Sequence, residues 1–404
     1  MKVQLFEPFA GWHHTKYIAT LLPTLVRLKD AGKIDEIVVV TTHSHVHSPH
    51  FADQLASFTG VVRFDAVNLP RRWPLSVAIS EMLDRSIRKH EPDFLISTSA
   101  NDGAFPTALR SMIHAQTVPS VGIIHNGYTK RPATPREFVH NYVQKFARDH
   151  APWSELHVVN PLLYDTIKAQ GGNAADRLRL LPDPVLVREP MEKSSARAYF
   201  ELPAGTIVGM VGQMDKRKAV PDLLRAFRSL ELPDDNYLLL AGRLARKYRR
   251  LIDREFGDLV RDKRILLIDR YLTPEELHHA TSACDAVAIT YYTDELSGNL
   301  LAAIAAGRPV LASIEGYTGM IVQRFGVGWA CSVRNTLSFR SALQRAYTES
   351  GSFVMPDAAR RLLLFHDPQN FVDTVLAELY RLIEIDVPAA QTWRSVVAPS
   401  AGSE

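Results

Sequence analysis

Short apolar runs rich in Val, Ile and Leu punctuate this chain from end to end, and each is apolar at consecutive positions rather than at alternate ones. In the first half they fall at 3–6, 36–41, 61–67, 93–98, 120–125 and 155–160, and in the second at 206–212, 236–242, 264–269, 285–290, 308–313 and 327–332. A strand with one wet face alternates; a continuous run marks a strand covered on both faces, as in a parallel sheet beneath helices. Between the runs lie longer helical stripes, such as 219–230, where Val220, Leu223, Leu224, Phe227 and Leu230 share one face. Two successive sets of about six strand–helix units predict an α/β protein of two Rossmann-like domains. A length of 404 residues suits two such cores better than one.

The break between the sets is visible. Leu181-Pro182-Asp183-Pro184 precedes a polar stretch, 188–198, and paired prolines suit an extended linker. The predicted domains are therefore 1–183 and 184–369. A last helical stripe at 370–384 follows the completed second set and rejoins the first domain, and 385–404 reads as a flexible tail.

Bulk composition narrows the class. A hydrophobic share of 46% with 23% charged residues is that of a globular enzyme rather than a disordered or fibrous chain. A formal net charge of +3 gives no overall field that calls for nucleic acid as a partner. Basic residues bunch at 243–250 (RLARKYRR) and at Arg71-Arg72, either as a solvated face or as a contact with an anionic membrane surface. Cys284 and Cys331 each sit in an apolar stretch and read as buried free thiols. The opening MKVQLFEPF lacks the apolar core of a signal peptide, and no stretch approaches the ~20 apolar residues of a membrane span. The expected place is the cytoplasm, with peripheral contact at the inner face of the membrane.

Ligands in open α/β sheets bind outside the carboxyl ends of the strands, so the residues after each strand carry the functional reading. After 206–212 comes QMDKRKAVPDLLRAF. Gly212 permits a tight exit, and Arg217 and Lys218 stand just ahead of a helix whose first turn holds Pro221. Free amides, the positive end of the helix dipole and two cations suit a pyrophosphate. After 285–290 comes YYTDELSGNLLAAIAAGRPVLAS, with Ser297 as N-cap, Leu300, Leu301 and Ile304 as the buried stripe, and Gly307 as the stop. This loop brings Asp294, Glu295 and the amides of Ser297, Gly298, Asn299 and Leu300 to the same surface.

These two segments resemble glycosyltransferase family 4. VGQMDKRKAVPDLLRAF is similar to the motif in which a strand ends in Gly and a Lys six residues on holds the donor phosphates, which falls on Lys218. LTPEELHHATSACDAVAITYY and DELSGNLLAAIAAGRPVLAS are similar to the helix, strand and carboxylate loop that follow. The resemblance covers 205–332 well and the first half loosely. It implies the GT-B arrangement, two Rossmann-like domains facing across a cleft. It also implies transfer of a sugar from a nucleotide-diphosphate sugar to an acceptor hydroxyl with retention of configuration. The nucleotide sugar is then a co-substrate, with no resident cofactor and no metal. The acceptor, a sugar, lipid-linked sugar or small molecule, is not readable. Two departures stand out. Gln213 replaces a basic residue, and Ala302 stands where the family has a ribose-binding glutamate, eight positions after Asp294. Asp294, Glu295 and Asn299 are the nearby candidates, and Glu295 or Asp294 is expected to take over that contact.

In the first half, the resemblance places His125, at the end of the run 120–125, at the reaction centre beside the catalytic set Lys218, Arg217 and Asp294. It aligns the loop FAGWHH with a glycine-rich loop, so Gly11 approaches the donor and His13 and His14 orient the acceptor. Asn101 and Asp102 follow the run 93–98 and line the acceptor side. HSHVHSPH at 43–50 offers alternate imidazoles without a cysteine and is not read as a metal site. Two other readings keep the fold: a non-hydrolysing sugar-nucleotide epimerase, for which Asp102 is the candidate carboxylate, and a non-catalytic scaffold, for which Ala302 argues.

Overall fold

The structure, a computed structural model, describes residues 1–69, 74–113, 118–125, 134–185, 188, 191–293 and 296–397. The chain divides into two compact units. The first is formed by Met1–Pro184 with Pro368–Ala390, the second by Val185–Asp367 with Gln391–Glu404.

Among the described residues the first unit carries a seven-stranded sheet: β1 (Lys2–Glu7), β2 (Glu36–Thr42), β3 (Arg63–Val67), β4 (Phe94–Ser97), β5 (Ser120–Ile124), β6 (Glu155–Val158) and β7 (Leu178–Leu180). Their order is β3-β2-β1-β4-β5-β6-β7, parallel throughout. The second unit repeats the plan with six: β8 (Thr206–Val211), β9 (Asn236–Ala241), β10 (Ile265–Ile268), β11 (Ala286–Ile289), β12 (Val310–Ser313) and β13 (Gly328–Cys331), in the order β10-β9-β8-β11-β12-β13. The continuous apolar runs are buried on both faces as expected except at two sheet edges, where β3 and β10 are only partly covered. Val3, Leu5, Val38, Val39, Leu95, Val208, Leu239, Val310 and Leu311 are all fully inaccessible. Each such side chain contributes roughly 1.5–3 kcal/mol by leaving water.

In both sheets the order reverses beside the first strand. β1 lies between β2 and β4, and β8 between β9 and β11. The helices that leave these neighbouring strands depart to opposite faces, which opens a crevice at the carboxyl ends of β1/β4 and of β8/β11. Apart from His125, which follows β5, the candidate site residues that the sequence singles out follow these four strands.

The structure adds to the sequence reading at three places. β7 is a three-residue edge strand, too short to register as an apolar run. Part of the polar stretch 188–198, expected to be extended, is the helix Lys193–Tyr199. It is held because the nearly buried Asp285 takes ion pairs from Lys193 and Arg197 and a hydrogen bond from the Ile207 amide. The tail expected to be flexible from 385 contains the helix Trp393–Val397, with Val396 buried and Trp393 against Phe325 and Phe365. Cys284 and Cys331 are free and buried, and burial pushes both thiols up to about 12. Among the described residues no helix is long and apolar enough to cross a membrane.

Candidate functional site

In the second unit the site is built on one carbonyl. The chain leaves β8 at Gly212 with φ +89°, a left-handed turn that glycine adopts without strain. This turn leaves the Val211 carbonyl at the strand end, where it accepts from the Lys218 ammonium at 2.9 Å and from the Asn299 amide at 2.7 Å. A Cβ on Gly212 would lie 2.7 Å from Asn299 Nδ2 and would push that amide aside. Gly242, leaving β9 with φ +132°, packs its Cα on the Gly212 carbonyl, where a Cβ would stand 2.3 Å away.

The loop after β8 is stitched to the loop after β11. Ala219 N donates to Thr290 O, Tyr292 N donates to Arg217 O, and Lys218 forms an antiparallel bridge with Tyr291. Ser313, at the end of β12, clasps both the amide and the carbonyl of Tyr291 at 2.6 Å. The Lys218 ammonium stands 6.0 Å from the Tyr291 ring, and the Tyr291 hydroxyl is 3.3 Å from Ser297 Oγ. Ser297 does occupy the N-cap of the helix Gly298–Ala305, yet its hydroxyl caps no helix amide and meets Tyr291 instead. Ser297 is buried, Asn299 half-buried and Gly298 exposed.

Lys218 itself is 6% exposed. Burial pulls its pKa down to about 8, opposed by the charge of Asp215 and reinforced by that of Arg217. The depressed value makes the charged lysine a burden on folding below pH 8, of roughly 3 kcal/mol by the linkage of pKa to stability. That burden is relieved as pH rises from about 8 through the unfolded value of 10.5. Arg217 is placed differently. It is exposed, and its guanidinium grips the Asp215 carboxylate, with Nη2 to Oδ2 at 2.8 Å. The two cations expected to act together are thus separated into a buried lysine and an exposed ion pair. Leu300 has its side chain fully buried in the core and its amide on Ser297 O, so only its place in the first helical turn belongs to the site. Asp294 and Glu295 lie outside the described residues. Ala302 is half-buried within the helix Gly298–Ala305.

In the first unit the carboxyl ends of β1 and β4 hold a denser cluster. Glu7, the last residue of β1, is completely buried. Its Oε1 accepts from Phe9 N at 2.8 Å, its Oε2 from Thr98 Oγ1 at 2.7 Å, and Ser99 Oγ reaches both oxygens. His14 Nδ1 lies 2.9 Å from Glu7 Oε2. Burial works against the charge on Glu7, but the His14 hydrogen bond and charge, with Thr98 and Ser99, hold it below the usual carboxylate range. His125 is 8% exposed; its Nε2 meets Thr98 O at 2.5 Å, and its amide donates to Asn101 Oδ1. Its ring stacks on Tyr17 at 4.9 Å and meets the His14 ring edge-on at 5.4 Å. Burial and then the charge of His14 push the His125 pKa down, whereas burial raises that of Asp102. The Tyr17 hydroxyl and the Lys16 ammonium converge on Asp183 Oδ1 at 3.1 and 2.8 Å.

The structure therefore brings His14, Asn101, Asp102 and His125 together. Gly11 is the N-cap of the helix Trp12–Asp30, and its carbonyl accepts from Thr15. The side chain of His13 lies outside the described residues. In the histidine run, His45 is fully buried between Thr15 Oγ1 at 2.8 Å and Thr41 Oγ1 at 2.7 Å, and burial lowers its pKa. Its role is structural, and among the described residues no group of His, Cys, Asp or Glu is placed to hold a metal. The sequence reading missed Glu7, Thr98, Ser99 and Tyr291. Their signal was positional: a glutamate closing an apolar strand, and the first residues beyond β4 and β11.

Residues 205–349 match the family model described as "Glycosyl transferases group 1". No curated protein sequence matches the chain. Among solved structures, it is similar to Anabaena HepE in complex with UDP, at 14% identity and a TM-score of 0.70 over 94% of this chain and 100% of that one. Sucrose-phosphate synthase from Thermosynechococcus elongatus superposes at 16% identity and a TM-score of 0.68 over 95% and 99%. A glycosyltransferase from Rickettsia africae does so at 13% and 0.66 over 95% and 98%. The chain thus has the GT-B fold of two Rossmann-like domains, and the similarity to group 1 glycosyl transferases lies within its second unit.

Proposed function

We propose that this protein transfers a hexosyl group from a nucleoside diphosphate sugar to an acceptor hydroxyl, with retention of configuration, as in polysaccharide or glycolipid assembly. One observation carries the reading: the Val211 carbonyl holds the buried Lys218 ammonium and the Asn299 amide together, beside the first turn of the helix Gly298–Ala305. A cation kept in so dry a place awaits an anion, and helix amides are its natural partners. The match of this segment to group 1 glycosyl transferases agrees, as do the HepE structures holding UDP and UDP-glucose.

In this reading Lys218 and the amides of Gly298 and Asn299 take the negative charge that builds on the departing diphosphate. Preorganised charge of this kind is the main catalytic term. The first unit holds the acceptor through His14, Asn101 and Asp102. The nucleotide sugar is a co-substrate, and positive charge comes from the chain itself. We place the reaction in the cytoplasm with a peripheral membrane contact, which the exposed Arg243, Arg246, Lys247 and Arg250 support.

The test is a panel of nucleotide sugars with p-nitrophenyl glycosides as acceptors, read by release of nucleoside diphosphate and by the anomeric configuration of the product. Isomerised donor without release would favour the epimerase, to which the raised Asp102 carboxyl lends support. Absence of both release and nucleotide binding would favour the scaffold.

Two quantitative expectations follow from the buried groups. With Lys218 titrating near 8, UDP affinity should be flat just below that pH and fall up to about tenfold per unit above it. Calorimetry between pH 7 and 10 checks this, and a flat profile removes Lys218 from the anion site. His125→Phe keeps the stack on Tyr17 and leaves the Thr98 carbonyl unpaired, a cost of about 1–3 kcal/mol. It should lower turnover about tenfold or more while UDP affinity stays within about twofold. An equal fall in both assigns His125 to structure alone.

A further inference from the structure

A completely buried carboxylate at the end of a central strand is expensive. Removing an ionised group from water costs several kcal/mol after relaxation, and an apolar side chain would fill the space without that cost. Glu7 offsets the cost by accepting from Phe9 N, Thr98, Ser99 and His14. Three of these partners hold it in place; the fourth is a side chain that still reaches solvent, since the His14 side chain is 14% exposed against 0% for Glu7.

The protonation logic is fixed by the chemistry of the pair. An ionised carboxylate accepts and does not donate, so the His14 Nδ1 must carry the hydrogen that points at Glu7 Oε2. Glu7 is held ionised by the donors gathered on it, the Phe9 amide and the Thr98 and Ser99 hydroxyls beside His14. In the neutral imidazole the lone pair then belongs to Nε2, which makes the ring an acceptor for a hydroxyl. Glu7 also binds the Phe9 amide, so one carboxylate sets both the His14 ring and the backbone leading to Gly11. The cluster stands at the switch point of the first sheet, where β1 and β4 end.

We propose that Glu7 and His14 form an acceptor-orienting dyad in the first unit. His14 Nε2 accepts a hydrogen bond from a hydroxyl of the acceptor other than the one that reacts, and Glu7 is the positioning residue that fixes the His14 tautomer. The acceptor class this selects is a polyol, a carbohydrate with a hydroxyl beside the reacting one. The assignment rests on the transfer reading given above.

The variant that tests it is Glu7→Gln. Glutamine is isosteric but has one carbonyl oxygen where the carboxylate has two. The Ser99 and Thr98 hydroxyls can turn to accept, whereas the Phe9 amide still needs the oxygen. The glutamine NH2 then faces His14 Nδ1 and forces the hydrogen onto Nε2, which turns an acceptor into a donor. Spectra of 15N-histidine-labelled protein, with His14 identified by its loss in His14→Ala, should show Nδ1–H in the wild type and Nε2–H in Glu7→Gln. With UDP-glucose and the glycoside that the panel selects, Glu7→Gln should raise the acceptor KM about tenfold or more and leave the UDP Kd within about twofold. In a His14→Ala background the same change should add nothing, because Glu7 acts through His14. An unchanged tautomer overturns the dyad, and so does an unchanged acceptor KM or a Glu7 effect that multiplies with that of His14→Ala. If no nucleotide sugar is turned over at all, the transfer reading fails instead, while the 15N spectra still judge whether Glu7 sets the ring.

Discussion

Lys218→Met should lower kcat/KM with UDP-glucose by about a hundredfold to a thousandfold, the cost of removing one preorganised charge from a transition state that expels a diphosphate. The same change should not lower the melting temperature. Lys218 is no exposed loop cation: it is 6% exposed, and burial has depressed its pKa to about 8. At neutral pH its charge therefore works against folding by roughly 3 kcal/mol. Loss of its hydrogen bond to Val211 O returns about 1–2 kcal/mol of that gain. Methionine fills most of the same volume without a charge. The expected signature is a protein as stable as the wild type, or more so, and nearly inactive. This is the trade-off of a site whose charge is held in readiness for a ligand. Steady-state kinetics and thermal melts at pH 7 check both halves. Wild-type turnover would sink the donor assignment, and a lower melting temperature would show that the lysine is a structural strut.

Gly212→Ala should raise the UDP Kd about a hundredfold and lower stability by about 1–3 kcal/mol, the cost of holding alanine in a sparsely populated backbone region. The turn requires φ +89°, and the new methyl would lie 2.7 Å from Asn299 Nδ2. Asn299 must then release Val211 O, and the two polar groups gathered on that carbonyl come apart. Close approach of backbone to a diphosphate is also lost at that corner. Asn299→Ala is the informative partner: it should weaken UDP binding by about tenfold without the stability cost of the strained turn. If Gly212→Ala binds UDP as well as the wild type, the turn after β8 is not the phosphate corner.

Much of the architecture was legible because parallel strands buried on both faces write themselves as continuous apolar runs. The β8 run at 206–212 and its five successors each became a strand of the second sheet. Leu178–Leu180 was not legible, since three residues at a sheet edge, the middle one exposed, carry no such pattern. The helix Lys193–Tyr199 was missed for another reason: its anchor, Asp285, lies 92 positions from Lys193. In the site, Lys218 and Asn299 were readable from their places after strands. The separation of Arg217 from Lys218 was not, because Asp215 could compete for either cation and only the backbone path decides. Glu7 hid in plain view as the last residue of an apolar strand. Its value depends on Thr98, Ser99 and His14, which the sequence scatters and the switch point collects.

The helix Pro368–Leu382 belongs to the first unit although it follows the whole sheet of the second. Phe371, Val375, Leu376 and Leu379 are fully buried there, and Phe371 lies against Tyr17. During synthesis at roughly 5–20 residues per second, the first unit therefore waits about 10–40 s between completion of its sheet and arrival of its last helix. Throughout that interval the apolar bed of the helix, around Tyr17, faces water, and by its end the second unit has all its strands. The first unit, although translated first, thus stays open until the sheet of the second is complete. A nascent chain stalled before residue 368 would present the complete strand set of the second unit joined to a first unit without its last helix, the state on which chaperones and proteases would act.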